Sequence, residues 1–212
     1  MHELPLGNII WKNAGRILLV GLVSAVAGAG LSLLFPLRYS STMRLLIIQK
    51  QLSEADPYTA MKASERISDN LGQIIYTTSF FGKVMDDKYN IDKSIFSTDE
   101  IKRRRQWSDM IATSVIRGTG MLQVTVYHKD PAQAKLISQA VANVLISEGW
   151  TYVGGGDLQI KLVDEPLLSR WPVKPNIPIN AFMGLVLGVL AGAGRSIAEA
   201  RRKNVFSLPT SL

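Results

Sequence analysis

The sequence predicts an α+β membrane protein in which two transmembrane helices flank one extracytoplasmic α/β domain. Three observations predict it. Two uncharged apolar stretches lie near the ends of the 212-residue chain, basic residues border both, and the segment between them alternates strand-like with helix-like patterns.

Composition narrows the chemistry first. Hydrophobic residues make up 47% and charged residues 19%, below the roughly one quarter usual in soluble domains. With no cysteine there is no disulfide framework, thiolate nucleophile, cysteine-zinc site or iron–sulfur cluster. Two histidines, His2 and His128, leave little for a histidine metal site. Lys and Arg exceed Asp and Glu by 24 − 17 = 7. The two ends hold 6 of those cations against 2 acids, leaving a nearly balanced 18 against 15 between them. Such a distribution is no general nucleic-acid footprint.

The first apolar stretch, Ile17–Phe35, has nineteen residues and no charge. At 1.5 Å per residue it comes close to the roughly 30 Å hydrocarbon core. It is apolar all round, unlike an amphipathic surface helix. It begins after sixteen residues and no small-x-small cleavage site stands out before Pro36, so it reads as an uncleaved anchor. The second stretch, Pro175–Gly194, is richer in glycine. Lys12 and Arg16 border the first span, and Arg195, Arg201, Arg202 and Lys203 follow the second, which predicts cytoplasmic termini. The expected organisation is a cytoplasmic N-terminus at 1–16, spans at 17–35 and 175–194, an extracytoplasmic domain with a proline-rich end at 36–174, and a cytoplasmic tail at 195–212.

Within the domain, Tyr39–Ile48 reads as a strand. Asp56-Pro57 predicts an N-cap with proline at the first helical position, and Ile67, Leu71 and Ile74 follow at helical spacing. A short helix is expected around Phe80–Lys88. Ser97 and Glu100 have capping-box spacing and predict a further helix. Ile111–Arg117 and Met121–His128, joined by Gly118-Thr119-Gly120, predict a hairpin. Asp130-Pro131 repeats the cap-and-proline signal, and Ala134, Ile137, Val141, Val144 and Leu145 form one apolar stripe behind it. Gly154–Gly156 reads as a flexible connector, and Leu158, Ile160 and Leu162 alternate in a last strand. Strand, helices, strand, strand, helix, strand is the split βαβ, ferredoxin-like (βαββαβ) order.

The hairpin followed by DPAQAKLISQAVANVLISE, then IKLVDEP with Pro172, Pro175 and Pro178 leading into a glycine-rich span, resembles the polysaccharide co-polymerases, the chain-length determinant (Wzz-type) family. The likeness covers about Leu6 to Arg202. It implies a non-enzymatic, oligomeric scaffold of the inner (cytoplasmic) membrane, working with a partner polymerase or export machinery. That scaffold would set the length of O-antigen, capsule or exopolysaccharide chains. Lipopolysaccharide and exopolysaccharide biosynthesis is the implied setting, with membrane lipids, no nucleic acid and no cofactor. Larger members insert a long helical arm after the DP helix; only Gly149–Gly156 stands there here. No G-x-x-x-x-G-K-[ST] occurs and residues 195–212 have no tyrosine, so the resemblance implies a short form without a kinase domain. An alternative is a transmembrane activator of a separate tyrosine kinase.

Several residues invite sharper readings. Pro172, Pro175 and Pro178, spaced by three, fit one edge of a polyproline II strut. Gly21, Ala25 and Ala29, and Gly184, Gly188 and Gly192, form small-residue faces for helix packing. Lys102, Arg103, Arg104 and Arg105 could meet an anionic partner, although pairing of Asp99 and Glu100 with Arg103 and Arg104 on a solvated helix is favoured. Trp107, Trp150 and Trp171 are candidates for stacking on sugars, with Trp171 also suited to an interfacial anchor. His128 beside Asp130 superficially suggests a dyad but lacks a nucleophile.

Overall fold

The computed structural model describes residues 6–49, 56–86, 88–153 and 158–206. The chain divides into two compact units, Arg38–Val173 and the two ends, Met1–Leu37 with Lys174–Leu212.

Arg38–Val173 is an α+β unit with one four-stranded sheet. Its strands are β1 (Tyr39–Gln49), β2 (Ile111–Ile116), β3 (Met121–His128) and β4 (Leu158–Leu168). They lie in the order β2-β3-β1-β4 and every neighbouring pair is antiparallel. Between β1 and β2 come α3 (Pro57–Ile74), α4 (Thr78–Asp86) and α5 (Glu100–Met110); α6 (Pro131–Glu148) joins β3 to β4.

Alternation in β1 sorts its side chains. Met43, Leu45 and Ile47 are buried, opposite Val124, Leu122 and Ile160 on the neighbouring strands. On the other face Arg44 donates to Asp164 at 3.0 Å and to Gln123 at 3.1 Å. β4 departs from the expected alternation. Leu45 faces Leu162 while Arg44 faces Asp164, so Val163 is an extra residue, and Leu162 is 36% exposed. A bulge of this kind turns the strand past the extra residue.

The predicted caps hold on α3 and α6. The Asp56 carboxylate accepts the Thr59 amide and Asp130 that of Ala132, each with proline directly after. On α5 the cap is Asp99, which accepts the Lys102 amide at 2.9 Å, and not Ser97. Ser97 instead accepts the Asp99 amide at 3.2 Å, one step earlier. The carboxylate wins because it sits next to the first helical residue and carries the charge favoured at a helix N-terminus. The α6 stripe, Ala134, Ile137, Val141, Val144 and Leu145, is entirely buried.

The hairpin turn is fastened to α3. Ser68 is buried and donates to the Gly120 carbonyl at 2.9 Å, and the Glu65 carboxylate accepts the Gly118 amide. Gly120 has φ +63, and a Cβ there would stand 2.8 Å from Ser64 Cβ, so backbone conformation and space both demand glycine. The expected connector Gly154–Gly156 lies outside the described residues.

The other unit is helical: α1 (Leu6–Lys12), α2 (Ala14–Ser32) and α7 (Ile177–Phe206). α2 and α7 are each long and apolar enough to cross a membrane. α2 stops short of the expected Phe35, because Pro36 disfavours helix in the residue before it. α7 starts where Asn176 caps the Ile179 amide at 3.3 Å, and it continues through Phe206 without a break at 194.

Candidate functional site

The helical unit carries the most distinctive geometry. Gly188 lies so close to α2 that a Cβ on it would be 2.6 Å from Ser24 Cβ and 2.8 Å from Gly21 Cα. A Cβ on Gly21 would be 2.7 Å from Val189, and one on Gly192 would be 3.2 Å from Ile17 Cα. One on Gly184 would collide with the Ser24 carbonyl and stand 3.2 Å from Ala25 Cα. The two small-residue faces therefore meet each other within one chain, backbone against backbone. On α2, Gly28 also lies against α7: an added Cβ there would be 2.7 Å from the Asn180 carbonyl.

One polar link runs through this contact. Asn180 Nδ2 donates to Ser32 Oγ at 2.7 Å, and Ser32 donates to the Gly28 carbonyl at 3.0 Å. Sequence reasoning missed Asn180; an amide within the apolar run that follows Ile177 was the available signal. Around this small polar seam the large side chains turn outward. Leu18, Leu22, Val26, Phe182, Leu187 and Leu190 are all exposed.

The three prolines do not form one polyproline segment. Pro172 is in irregular backbone, Pro175 follows a cis peptide bond at a bend, and Pro178 is already the second residue of α7. Proline is tolerated in a first helical turn, where its missing N–H has no partner to lose.

Lys102, Arg103, Arg104 and Arg105 do not converge, since successive helical residues point about 100° apart. Arg104 pairs with Glu100 at 2.9 Å, whereas Arg103 lies 5.7 Å over the Phe81 ring and makes no ion pair with Asp99, which caps the helix. Trp107 is 1% exposed and donates Nε1–H to the Ile75 carbonyl at 2.7 Å, so it is core and cannot stack on a sugar. Trp150 and Trp171 are exposed. His128 Nδ1 accepts the Asp130 amide at 3.0 Å, while the Asp130 carboxylate caps α6; the pair is a turn and cap, not a dyad.

Two of the ion pairs in the α+β unit hold shifted groups. Glu65 is held below the usual carboxylate range, first by the Gly118 amide and then by Lys62. Lys83 is raised above the usual amine range, chiefly by its bond to Glu148, and its Nζ lies 4.9 Å from the Tyr152 ring centroid.

Fold and contacts thus define a class: a mixed α+β unit with a four-stranded antiparallel sheet, on a chain with two helices apolar enough to span a membrane. No family model matches the chain, and no curated protein matches it.

Proposed function

We propose that this chain is a two-span scaffold of a bacterial cytoplasmic membrane, with a ferredoxin-like extracytoplasmic domain. It would assemble as a homo-oligomer and regulate the chain length of a surface polysaccharide made by a partner polymerase. The observation that carries this reading is the arrangement of parts. An antiparallel sheet ordered β2-β3-β1-β4, with a DP-capped helix before its last strand, is bracketed in sequence by two helices with glycine seams and apolar exteriors. That strand order is the one a split βαβ arrangement produces. An apolar exterior around a small-residue seam suits lipid better than water.

In this reading the domain supplies shape and spacing, and polymerisation chemistry belongs to the partner. Deleting the gene should shift the length distribution of surface polysaccharide on a gel; an unchanged ladder would sink the reading. Reporter fusions after Arg202 should score cytoplasmic and fusions near Gly155 extracytoplasmic. A second reading, activation of a separate tyrosine kinase, draws on the unbroken run of α7 from Ile177 through Phe206. Removing residues 195–212 should then abolish phosphorylation of that kinase while leaving chain length less affected.

A further inference from the structure

In the α+β unit, a cavity of about 270 Å³ is lined by Arg38, Gln106, Asp109, Tyr127, His128 and Lys129 among others. It sits where β1 begins and β3 ends, against the end of α5. Arg44, Lys62, Lys83 and Arg104 each have a carboxylate partner. Among the described residues, Arg38 and Lys129 make no ion pair. Arg38 is half-buried and donates Nη1–H to the Asp109 carbonyl at 3.2 Å, which orients the guanidinium while using one of its five N–H groups. His128 Nδ1 is turned toward the Asp130 backbone, 3.0 Å from its amide and 3.1 Å from its carbonyl. Gln106 is a fixed wall: its amide accepts from Ser97 N at 2.8 Å and donates to the Ile95 carbonyl at 3.2 Å. Asp109 offsets one positive charge, leaving Arg38 and Lys129 in excess by one.

We propose that this cavity binds the phosphate of an anionic phospholipid headgroup, with Arg38 and Lys129 as donors. The volume fits a headgroup rather than a larger ligand, since sites for drug-sized molecules start near 300 Å³. The choice of lipid comes from chain position. Arg38 follows Phe35, the last residue of the first uncharged stretch, by three residues. That is at most about 10 Å of chain, comparable to the headgroup layer beside a hydrocarbon core. The proposal rests on the membrane placement of α2 and α7.

The full-length chain is first tested for retention in carbonate-washed membranes; a soluble chain would overturn the membrane reading and this proposal together. The detergent-purified chain is then titrated with dioctanoyl phosphatidylglycerol, dioctanoyl phosphatidylcholine, glycerol 3-phosphate and inorganic phosphate, and retained ligand is counted by native mass spectrometry. One phosphatidylglycerol per chain is expected, held in preference to phosphatidylcholine. Arg38→Gln and Lys129→Gln should each weaken it by about fivefold, the effect of one basic residue near an anionic headgroup. Lys129 is exposed, so Lys129→Gln keeps the test valid if Arg38→Gln fails to fold. Lys102→Gln with Arg105→Gln should leave binding unchanged. Equal retention by Lys129→Gln and the wild type would overturn the proposal. So would displacement by glycerol 3-phosphate or inorganic phosphate at matched concentration, which would make the ligand a soluble phosphate.

Discussion

The α+β unit and the helical unit are built by opposite rules. In the first, large side chains go inside: Trp107, Phe80, Met43 and Leu45 are fully buried. In the second, glycine and serine line the contact between the helices, and leucine, valine and phenylalanine face out. Water drives the first arrangement, because burying apolar surface is favourable only when the alternative is wet. Hydrocarbon surroundings remove that drive and leave close contact and polar links to hold helices together. On the proposed membrane placement, each unit carries a record of the solvent it folds in.

The largest expected effect comes from emptying the first kind of core. Trp107→Ala should cost about 3–5 kcal/mol and also leave the Ile75 carbonyl without its donor. Chemical denaturation of the full chain in detergent, followed by circular dichroism, checks it; a loss below about 1 kcal/mol would mean the site repacks. In the helical unit the reverse change should hurt. Gly188→Leu should cost about 1–3 kcal/mol by overpacking, whereas Gly30→Leu, with open space around its Cβ, should be silent. Equal melting temperatures for the two variants in detergent would break the comparison.

Asn180→Leu tests the polar link in the seam. Such bonds between membrane helices average about 0.6 kcal/mol, so only a small drop in melting temperature is expected. No drop would mean Ser32 finds another partner. The smallest effect is electrostatic. Glu65 has a lowered pKa in the folded state, so its contribution is complete above the ordinary carboxylate value and is lost as pH falls through the folded one. Glu65→Gln should lower stability slightly at neutral pH and flatten the acid limb, so that variant and wild type converge as pH falls through the folded-state value. An unchanged acid limb would detach Glu65 from the turn.

Much of this was legible because periodicity reports burial. The buried stripe of α6, the hairpin around Gly118 and Gly120, and both proline-marked caps follow from residue type and spacing alone. Other features depend on partners that spacing cannot name. Ser97 matched a capping box, yet the adjacent Asp99 supplied a better-placed charge. The small-residue faces were visible, but not that they would meet each other, nor that Gly28 would join them. Trp107 looked available on a charged helix until Phe81 and Phe96 packed against it, with ring centroids 5.1 and 6.3 Å away. The Arg38 cavity joins residues up to ninety-one positions apart (129 − 38), and no local pattern announces it.

The pairing of the two ends of the α+β unit has a mechanical consequence. Val173 donates to the Arg38 carbonyl at 2.8 Å, and Ser169 to that of Ser40 at 2.7 Å, so β1 begins beside the place where β4 ends. Antiparallel ladder bonds run perpendicular to their strands. Tension separating Arg38 from Val173 therefore loads these bonds one at a time, as a zipper opens, instead of sharing the load along the ladder. β4 is an edge strand held in the sheet by β1 alone, so it should peel away first while β2, β3 and β1 stay paired. Single-molecule pulling from those two residues should record an early, low-force step before the remaining sheet yields; one abrupt high-force rupture would contradict it. A sideways tug on the chain would thus be absorbed by the last strand, which acts as a mechanical fuse.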